Sequence, residues 1–229
     1  MIEIRNLTKQ FDGHYVLKDV SFIVEDAKLV VVLGPSGTGK TVLLKSILRL
    51  LPVDNGEVYF DGIDILKADI KEVYRIRRSV GFIFQSSALF DSMNVFENIA
   101  LPLIEHTKIS GKEAKEKVKK LLRIVGLPGK EKLFPRALSG GMKRLVSIAR
   151  ALALEPRYLF YDEPTTGLDP VMRDRIISLI VNLKKELKKS GIVVTHDLET
   201  AQIVGDVIYM LKDGQIKRLE KIEKGMYGD

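Results

Sequence analysis

The chain has 229 residues, of which 45% are hydrophobic and 29% are charged, and its formal net charge at pH 7 is +7. These proportions are typical of a soluble protein with one substantial core, and we expect the chain to fold as one unit. The absence of cysteine excludes disulfides and thiol chemistry. The longest apolar runs, at 29–33 and 176–180, are too short to span a bilayer, so a role at a membrane requires a separate membrane subunit.

The excess of basic residues raises the question of a nucleic-acid partner. In GKEAKEKVKKLLRIVGL at 111–127 the lysines alternate with glutamates on one helical face, and LKKELKKSG at 183–191 has the same character. We interpret both stretches as solvated helix surfaces and expect no nucleic-acid partner. The apolar face of the first stretch consists of Ala114, Val118, Leu121, Leu122 and Val125.

The first part of the chain is predicted to be rich in strands. Its start, MIEIRNLTKQF, alternates like a strand and lacks the features of a secretory signal. Strands are predicted at 2–7, in the region 22–24 and in KLVVVLG at 28–34. A helix is predicted to follow from about Lys40 and to stop before Pro52.

GEVYFDG at 56–62 is bounded by glycines and is predicted to be a strand. Beyond it, three apolar runs that end in polar residues are predicted strands separated by helical patterns: SVGFIFQ at 79–85, RYLFYDE at 157–163 and GIVVTHD at 191–197. This alternation indicates a parallel α/β sheet, in which ligand chemistry is expected at the C-terminal strand ends.

Two other segments depart from this alternation. Between Gln85 and Leu154 the strand pattern lapses, which predicts a helical insert. YMLKDGQIKRLE at 209–220 is predicted to form a hairpin across Asp213–Gly214. The few residues after Glu220 are expected to hold no regulatory domain.

The most specific local pattern is GPSGTGKT at 34–41, which follows an apolar strand and precedes a helix, as G-x-x-x-x-G-K-[ST] requires. Glycines let the backbone N–H groups face a β-phosphate, Lys40 reaches the β- and γ-phosphates, and the Thr41 hydroxyl binds Mg²⁺. The nucleotide-binding residues predicted here are Gly34, Pro35, Ser36, Gly37, Thr38, Gly39, Lys40, Thr41 and Val42.

Further acidic and basic residues follow two of the predicted strands. In YLFYDEP, Asp162 can hold Mg²⁺ and Glu163 can deprotonate an attacking water, so the tandem carboxylates favour a hydrolase over a phosphotransferase. His196 in VVTHD is a candidate γ-phosphate sensor, although a lone histidine is more often structural. LSGGM at 138–142 combines a serine, two glycines and a helix start, which are the parts of an anion-binding site.

These motifs, in this order, resemble the nucleotide-binding subunits of ATP-binding cassette (ABC) transporters: GPSGTGKT, FQ ending at Gln85, LSGGM, YLFYDEP, GLDP with Asp169, and VVTHD. The resemblance covers nearly the whole chain and implies one α/β P-loop ATPase domain over 1–229. Such a domain has an N-terminal antiparallel β subdomain and an inserted helical subdomain at 87–150, with the core at 1–86 and 151–229.

In that family two cassettes pack head to tail, and each ATP lies between the P-loop of one chain and the signature motif of the other. The resemblance implies that Phe11 stacks on adenine, with Tyr15 as the less favoured candidate. It also implies that Gln85 contacts Mg²⁺ or the lytic water, that Glu163 and His196 are catalytic, and that Asp169 couples the two sites. Thr41, Gln85 and Asp162 are the expected metal ligands. The signature residues facing the partner's ATP are Leu138, Ser139, Gly140, Gly141 and Met142.

Met142 stands where the family usually has glutamine, and this departure narrows the resemblance. Together with FQSSALFDSMNVFENIALPLIEHT at 84–107, it is similar to the Mla-type ATPases, which move phospholipids with a permease and an MCE-domain lipid-binding subunit. A peripheral position on the cytoplasmic face of the inner membrane follows from that resemblance. Cassettes of other systems, including lipoprotein release and cell division, and a soluble cassette acting on nucleic acid remain alternatives.

Overall fold

The computed structural model describes residues 1–220, and the expectation about residues beyond Glu220 therefore lies outside the described part. Strands β1 to β10 and helices α1 to α7 follow one another along this part of the chain. The strands are β1 (Ile2–Phe11), β2 (His14–Val24), β3 (Leu29–Leu33), β4 (Asn55–Phe60), β5 (Ile63–Asp64), β6 (Val80–Ile83), β7 (Tyr158–Asp162), β8 (Ser190–Thr195), β9 (Val207–Lys212) and β10 (Gln215–Arg218). The helices are α1 (Lys40–Ile47), α2 (Ile70–Arg78), α3 (Val95–His106), α4 (Gly111–Ile124), α5 (Gly140–Ala151), α6 (Pro170–Leu187) and α7 (Leu198–Val204), with a 3-10 turn at Pro135–Ala137.

A four-stranded antiparallel sheet is formed in the order β2-β1-β4-β5. β1 pairs with β2 across the turn Asp12–Gly13, whose positive φ angles of 51° and 79° suit these residue types. β2 begins at His14, eight residues before the predicted region 22–24. The register of β1 against β2 shifts at three places, so the strict alternation that marks a strand in a sequence is interrupted.

The second sheet has the order β10-β9-β3-β8-β7-β6, and all neighbours from β9 to β6 are parallel. This confirms the predicted parallel sheet. β3 is buried on both faces: Val31 and Leu33 pack into one hydrophobic cluster, while Val30 and Val32 pack into the other. The hairpin of β9 and β10 turns at Asp213–Gly214 as predicted.

The segment between β6 and β7 is helical, as the sequence predicted, and contains α3, α4 and α5. Capping boxes begin two of these helices, with Asn94 and Glu97 at α3 and with Ser110 and Glu113 at α4. The apolar face predicted for α4 is buried, and most of its lysines are exposed. The subdomain boundaries at 87 and 150 stay a prediction, since α5 continues to Ala151.

Several element ends differ from the sequence predictions for local reasons. α1 ends at Ile47, and Arg49 follows in the left-handed conformation. The helix predicted through 183–191 stops at Leu187, because Lys188 has a φ of 48° and β8 starts at Ser190. β6 ends at Ile83, so the final residues of SVGFIFQ lie beyond the strand. Within residues 1–220, no helix combines the length and apolar character needed to cross a membrane.

The close contact of β7 with β8 gives a stability prediction. A β-carbon added at Gly191 would lie 1.9 Å from the backbone oxygen of Leu159, so Gly191→Ala forces the central strands apart. We expect it to lower the free energy of unfolding by roughly 3 kcal/mol in urea denaturation. Gly111, at the start of α4, has open space around it. Gly111→Ala is therefore the matched control, and we expect it to raise the free energy of unfolding by about 0.5 kcal/mol. Equal effects of the two substitutions would contradict this account.

Candidate functional site

The loop between β3 and α1 owes its shape to three glycines that serve different purposes. Gly37 and Gly39 have φ angles of 82° and 97°, which glycine adopts without strain. A β-carbon at Gly39 would also lie 2.6 Å from the Val16 side chain, and one at Gly34 would lie 2.6 Å from the Leu211 oxygen. Nothing lies within 4 Å of such an atom at Gly37. The loop is therefore packed at both ends and open in its middle.

Lys40 is buried at the centre of this loop. Its Nζ donates hydrogen bonds to the carbonyl oxygens of Gly34, at 2.7 Å, and Pro35, at 2.8 Å. The same ammonium lies 3.1 Å from Oε1 of Glu163. Because carbonyl oxygens and a carboxylate already hold the cation here, a phosphate oxygen entering the loop meets a positioned positive charge.

Thr41 and Asp162 form the neighbouring pair of oxygen groups. The Thr41 hydroxyl donates to both carboxylate oxygens of Asp162, at 3.0 and 2.9 Å. Burial raises the pKa of Asp162 above its usual value, the Thr41 hydrogen bond lowers it, and the charge of Glu163 raises it further. A divalent cation beside these oxygens would favour the ionised carboxylate.

The donors present fit Mg²⁺. This ion takes hard oxygen ligands, uses one or two carboxylates and completes its shell with water and substrate phosphates. The described part of the chain contains no group of three or more histidine, cysteine or acidic side chains arranged to hold a metal. Thr41 and Asp162 supply only a few protein ligands. This is typical of Mg²⁺ bound together with a nucleotide, whereas a metal site built from protein alone needs more ligands.

Glu163 follows β7 directly and joins three parts of the site. Its backbone N–H donates to the Val194 oxygen at 2.9 Å, which extends the contact between β7 and β8 by one residue. Its φ of 48° is unusual for a non-glycine residue. Oε1 faces Lys40, while Oε2 lies 2.9 Å from Nδ1 of His196 and accepts a hydrogen bond from the Thr166 hydroxyl, also at 2.9 Å.

His196 stands one residue past β8, as the sequence predicted. Its side chain is 45% exposed, so one edge of the ring faces Glu163 while much of the ring remains accessible to a ligand. When Nδ1 of a neutral imidazole donates to a carboxylate, the other ring nitrogen is an acceptor, and a protonated ring donates from both. The geometry allows the sensor role, which stays a prediction.

A cavity of about 390 Å³ opens over the loop. Phe11, Val42 and Gln85 border it, whereas Tyr15 does not, and their nucleotide- and metal-binding roles stay predictions. Val16 and Thr166 also border it, although the sequence reasoning did not single them out. The residues lining the cavity are Phe11, Val16, Ser36, Gly37, Gly39, Lys40, Thr41, Val42, Gln85, Glu163, Thr166 and His196.

The signature residues lie apart from this cavity. Ser139 is the N-cap of α5, and its Oγ accepts a hydrogen bond from the Met142 N–H at 3.2 Å. A β-carbon at Gly140 would meet nothing within 4 Å, whereas one at Gly141 would lie 2.2 Å from the Met172 side chain. Leu138 is buried. Gly140 therefore leaves open backbone at the helix start, and Gly141 makes room for α6.

Asp169 has a structural explanation of its own. It is the N-cap of α6, and its Oδ1 accepts from the Met172 N–H at 3.0 Å, with Pro170 in the first helical position. Asp169 is exposed to solvent. Its predicted coupling role remains compatible with this position and stays a prediction.

Arg144 was not identified from the sequence. It projects from α5, is buried, and donates hydrogen bonds to the carbonyl oxygens of Phe84 and, at 2.5 Å, Gln85. Burial lowers the pKa of Arg144 from its usual value. A single arginine within a helical pattern carries no local indication of such a distant partner.

Comparison with known proteins identifies the family. The sequence model of the family described as ABC transporter matches residues 17–166, which is more than half of the chain. The chain belongs to the ABC transporter family. Cassettes of this family are ATPases. The placement of ATP at the loop and strand ends described above stays a prediction.

Individual ABC relatives carry two different substrate names. A Mycobacterium leprae protein named probable ribonucleotide transport ATP-binding protein mkl is 42% identical over 92% of this chain. The chain spans 60% of that relative's length. The intermembrane phospholipid transport system ATP-binding protein MlaF is 39% identical in Haemophilus influenzae and 37% in Escherichia coli, over 94% of this chain in both cases. The alignments cover 82% and 80% of those proteins.

Solved ABC cassettes share the fold. The dimeric post-hydrolysis state of the ATP-binding cassette MJ0796 bound to ADP and Pi superposes with a TM-score of 0.87 at 35% identity, covering 97% of this chain and all of that one. A second dimeric structure of the same cassette gives 0.88 at 36% identity, with the same coverage. The predicted fold class, an ABC ATPase core with an antiparallel β subdomain and inserted helices, is confirmed.

The pairing of Thr41 with Asp162 predicts a Mg²⁺-specific effect. Thr41→Val removes the hydroxyl while keeping the shape of the side chain, so ATP affinity in the presence of Mg²⁺ should fall roughly tenfold. Thr41→Ser keeps the hydroxyl and should retain the affinity. ATP titrations with Mg²⁺ and with EDTA separate the two contributions. An equal loss of affinity with and without Mg²⁺ would argue against metal binding by Thr41.

Proposed function

We propose that this chain is the ATP-hydrolysing subunit of a membrane transporter that moves phospholipid, and that two copies enclose each ATP between them. The observation that carries the hydrolytic part is the position of Glu163, whose two carboxylate oxygens contact Lys40 and His196 beside the phosphate-binding loop. A base, a cation and a histidine thus meet where the γ-phosphate of a nucleotide in this loop is expected.

Glu163 is the base in this proposal. Its buried carboxylate takes a proton from the water that attacks the γ-phosphorus, and the bond to the ADP oxygen breaks as the new bond forms. Lys40 holds the β- and γ-phosphates, and His196 contacts the γ-phosphate. Thr41, Asp162 and Gln85 would hold Mg²⁺, which offsets the negative charge of the phosphates when bound. Phe11 provides the aromatic surface for the adenine.

The separation of the signature motif from the cavity supports a site shared by two copies. Within one chain, residues 138–142 do not line the cavity over the predicted phosphate-binding loop. Open backbone at Gly140 and the N-terminus of the twelve-residue helix α5 suit an anion. A second copy packed head to tail would present Ser139 and the two glycines to the γ-phosphate. The dimeric solved cassettes support this arrangement.

A permease partner is supported by a groove between the parallel sheet and the helical insert. The groove has a volume of about 820 Å³, and its wall combines apolar side chains with the charged residues Arg77, Arg78, Glu105 and Arg150. Tyr74 and Phe90 on this wall are 57% and 49% exposed, so the groove presents aromatic surface that a partner can cover. We propose that a cytoplasmic helix of the permease occupies the groove and holds the chain at the inner membrane. The aromatic and aliphatic side chains of the wall are Tyr74, Val80, Phe82, Phe84, Ala88, Phe90, Leu101, Pro102, Ala151 and Leu154.

Phospholipid as the substrate is supported by the MlaF relatives and by the resemblance of residues 84–107 to Mla-type ATPases. That resemblance also implies an MCE-domain lipid-binding subunit. A ribonucleotide is the second candidate, because the mycobacterial relatives with that name are 42% identical. The substrate is expected to contact the membrane subunits and not this chain.

Replacement of the base separates hydrolysis from binding. Glu163→Gln keeps the shape of the side chain but cannot accept the proton, so turnover should fall roughly 10²- to 10⁴-fold. ATP affinity and ATP-dependent dimer formation should persist. Steady-state phosphate release and a nucleotide titration give the two readings. Near-normal turnover in this variant would eliminate Glu163 as the base.

Lys40→Ala is the contrasting variant, and it should abolish tight ATP binding because the loop loses its cation. Retained affinity would count against the nucleotide assignment of the loop. For the unaltered chain, transfer of phosphate to an acceptor without ATP hydrolysis would instead indicate a phosphotransferase.

Isolation from native membranes tests the partner and the substrate. The tagged chain, purified in mild detergent, is expected to bring a permease, an MCE-domain protein and bound phospholipid, identified by mass spectrometry. A different permease would preserve the ATPase proposal and overturn the phospholipid proposal. Recovery of nucleic acid in place of a membrane protein would favour a soluble cassette.

A further inference from the structure

Lys9 of β1 is a buried lysine outside the phosphate-binding loop. Its exposed fraction is only 7%, although lysine is rarely buried in proteins unless it is paired. Its Nζ lies 5.0 Å from the centroid of the ring of Phe11, which ends the same strand. A cation at this distance over an aromatic ring is attracted by the negative charge of the ring face. The buried ammonium is therefore placed to act on the Phe11 ring.

The carboxylate of Asp54 holds this ammonium in place. Both of its oxygens lie 3.4 Å from Nζ of Lys9. Oδ2 also accepts a hydrogen bond from the Gln10 N–H at 2.5 Å, and this bond lowers the pKa of Asp54. The Asp54 N–H donates in turn to the Thr8 oxygen at 3.0 Å. Asp54 is thus ionised at neutral pH and is bound to β1 on both sides of Lys9.

The ammonium occupies ring surface that the nucleotide cavity does not reach. Phe11 borders this cavity, whereas Lys9 does not. With the cation against the ring, 44% of Phe11 remains exposed, so a base in the cavity meets the surface that the cation leaves open. A cation at one face of an aromatic ring draws π electrons toward itself. The opposite face then stacks more strongly on an electron-rich purine.

A second pair of the same chemistry lies on β2. Nζ of Lys18 is 5.6 Å from the centroid of the Tyr15 ring. Both residues are exposed, and Tyr15 does not border the cavity. Of the two pairs, only that of Lys9 and Phe11 combines a buried cation with a ring at the cavity. The pair of Lys18 and Tyr15 therefore provides an internal comparison.

We propose that Lys9 is a positioning residue for the nucleobase. Asp54 fixes its ammonium, the ammonium fixes and polarises the Phe11 ring, and the ring stacks on adenine. The inference rests on the proposed stacking of adenine on Phe11. Lys9 acts through the ring and not on the phosphates, so it contributes to ATP affinity and leaves the hydrolytic step unchanged.

Replacement of Lys9 in the full chain tests the inference by calorimetric titration with ATP. Lys9→Met keeps a long side chain but removes the charge, so the dissociation constant of ATP should rise roughly three- to fivefold. Turnover at saturating ATP should not change. Lys9→Arg keeps a cation over the ring and should retain the affinity. Lys18→Met, the matched control at the exposed pair, should bind ATP like the unaltered chain.

Two further measurements separate stacking from a general loss of structure. Tripolyphosphate has the phosphates of ATP without the base, and Lys9→Met should bind it as tightly as the unaltered chain does. Phe11→Leu removes the ring but keeps an apolar side chain. Because Lys9 acts through the ring, Lys9→Met should add no further loss of ATP affinity in the Phe11→Leu background.

Three results would overturn the inference: unchanged ATP affinity in Lys9→Met, equally weakened binding of tripolyphosphate, or additive losses in the double variant. If Lys9→Met does not fold, Lys9→Gln takes its place, since glutamine is polar but uncharged, and full ATP affinity in that variant would overturn the inference equally. If Phe11→Leu alone keeps the full ATP affinity, the proposed stacking on Phe11 fails first, and the inference falls with it. The proposed hydrolysis by Glu163 would stand in that case.

Discussion

The contact of the Glu163 carboxylate with Lys40 and His196 holds the site together. Each of the three residues lies at the C-terminal edge of the parallel sheet, after β7, β3 and β8 respectively. A buried carboxylate is tolerated only when it is paired and hydrogen-bonded, and here a cation and a histidine share the two oxygens. The hydrogen bond from the Glu163 N–H to Val194 and the unusual φ direct the side chain to this place. Loss of Lys40 would leave the buried Glu163 carboxylate without its cation, with hydrogen bonds alone to stabilise it.

Much of this arrangement could be predicted from sequence because parallel strands bring their C-terminal ends to one edge. The apolar runs before Gly34, Asp162 and His196 indicate three buried strands, and the residues after them therefore meet. Lys40 and Thr41 follow the glycine loop directly, so the sequence also predicts that they lie at the same edge, beside the expected phosphates. Two hydrophobic clusters on the two faces of β3 explain why these runs are continuous rather than alternating.

The remaining features depend on contacts between distant parts of the chain. Arg144 binds the Gln85 carbonyl across 59 sequence positions, and no local pattern encodes that partner. The Met172 side chain leaves no room for a β-carbon at position 141, so Gly141 is needed for packing as well as for the predicted anion contact. Ser139 and Asp169 cap helices within the single chain, which gives both residues a structural role beside the predicted functional one.

The shared site is the central claim, and a mixing measurement tests it most directly. In the Glu163→Gln background, Lys40→Ala disables the phosphate loop and Ser139→Arg disables the signature motif. Neither variant alone should dimerise on ATP, because both sites of each homodimer lack one half. A mixture should form heterodimers with one intact site and one bound ATP, as analytical ultracentrifugation with bound-nucleotide analysis can show. Failure of the mixture to dimerise, or unimpaired dimers of the Ser139→Arg variant alone, would contradict the account.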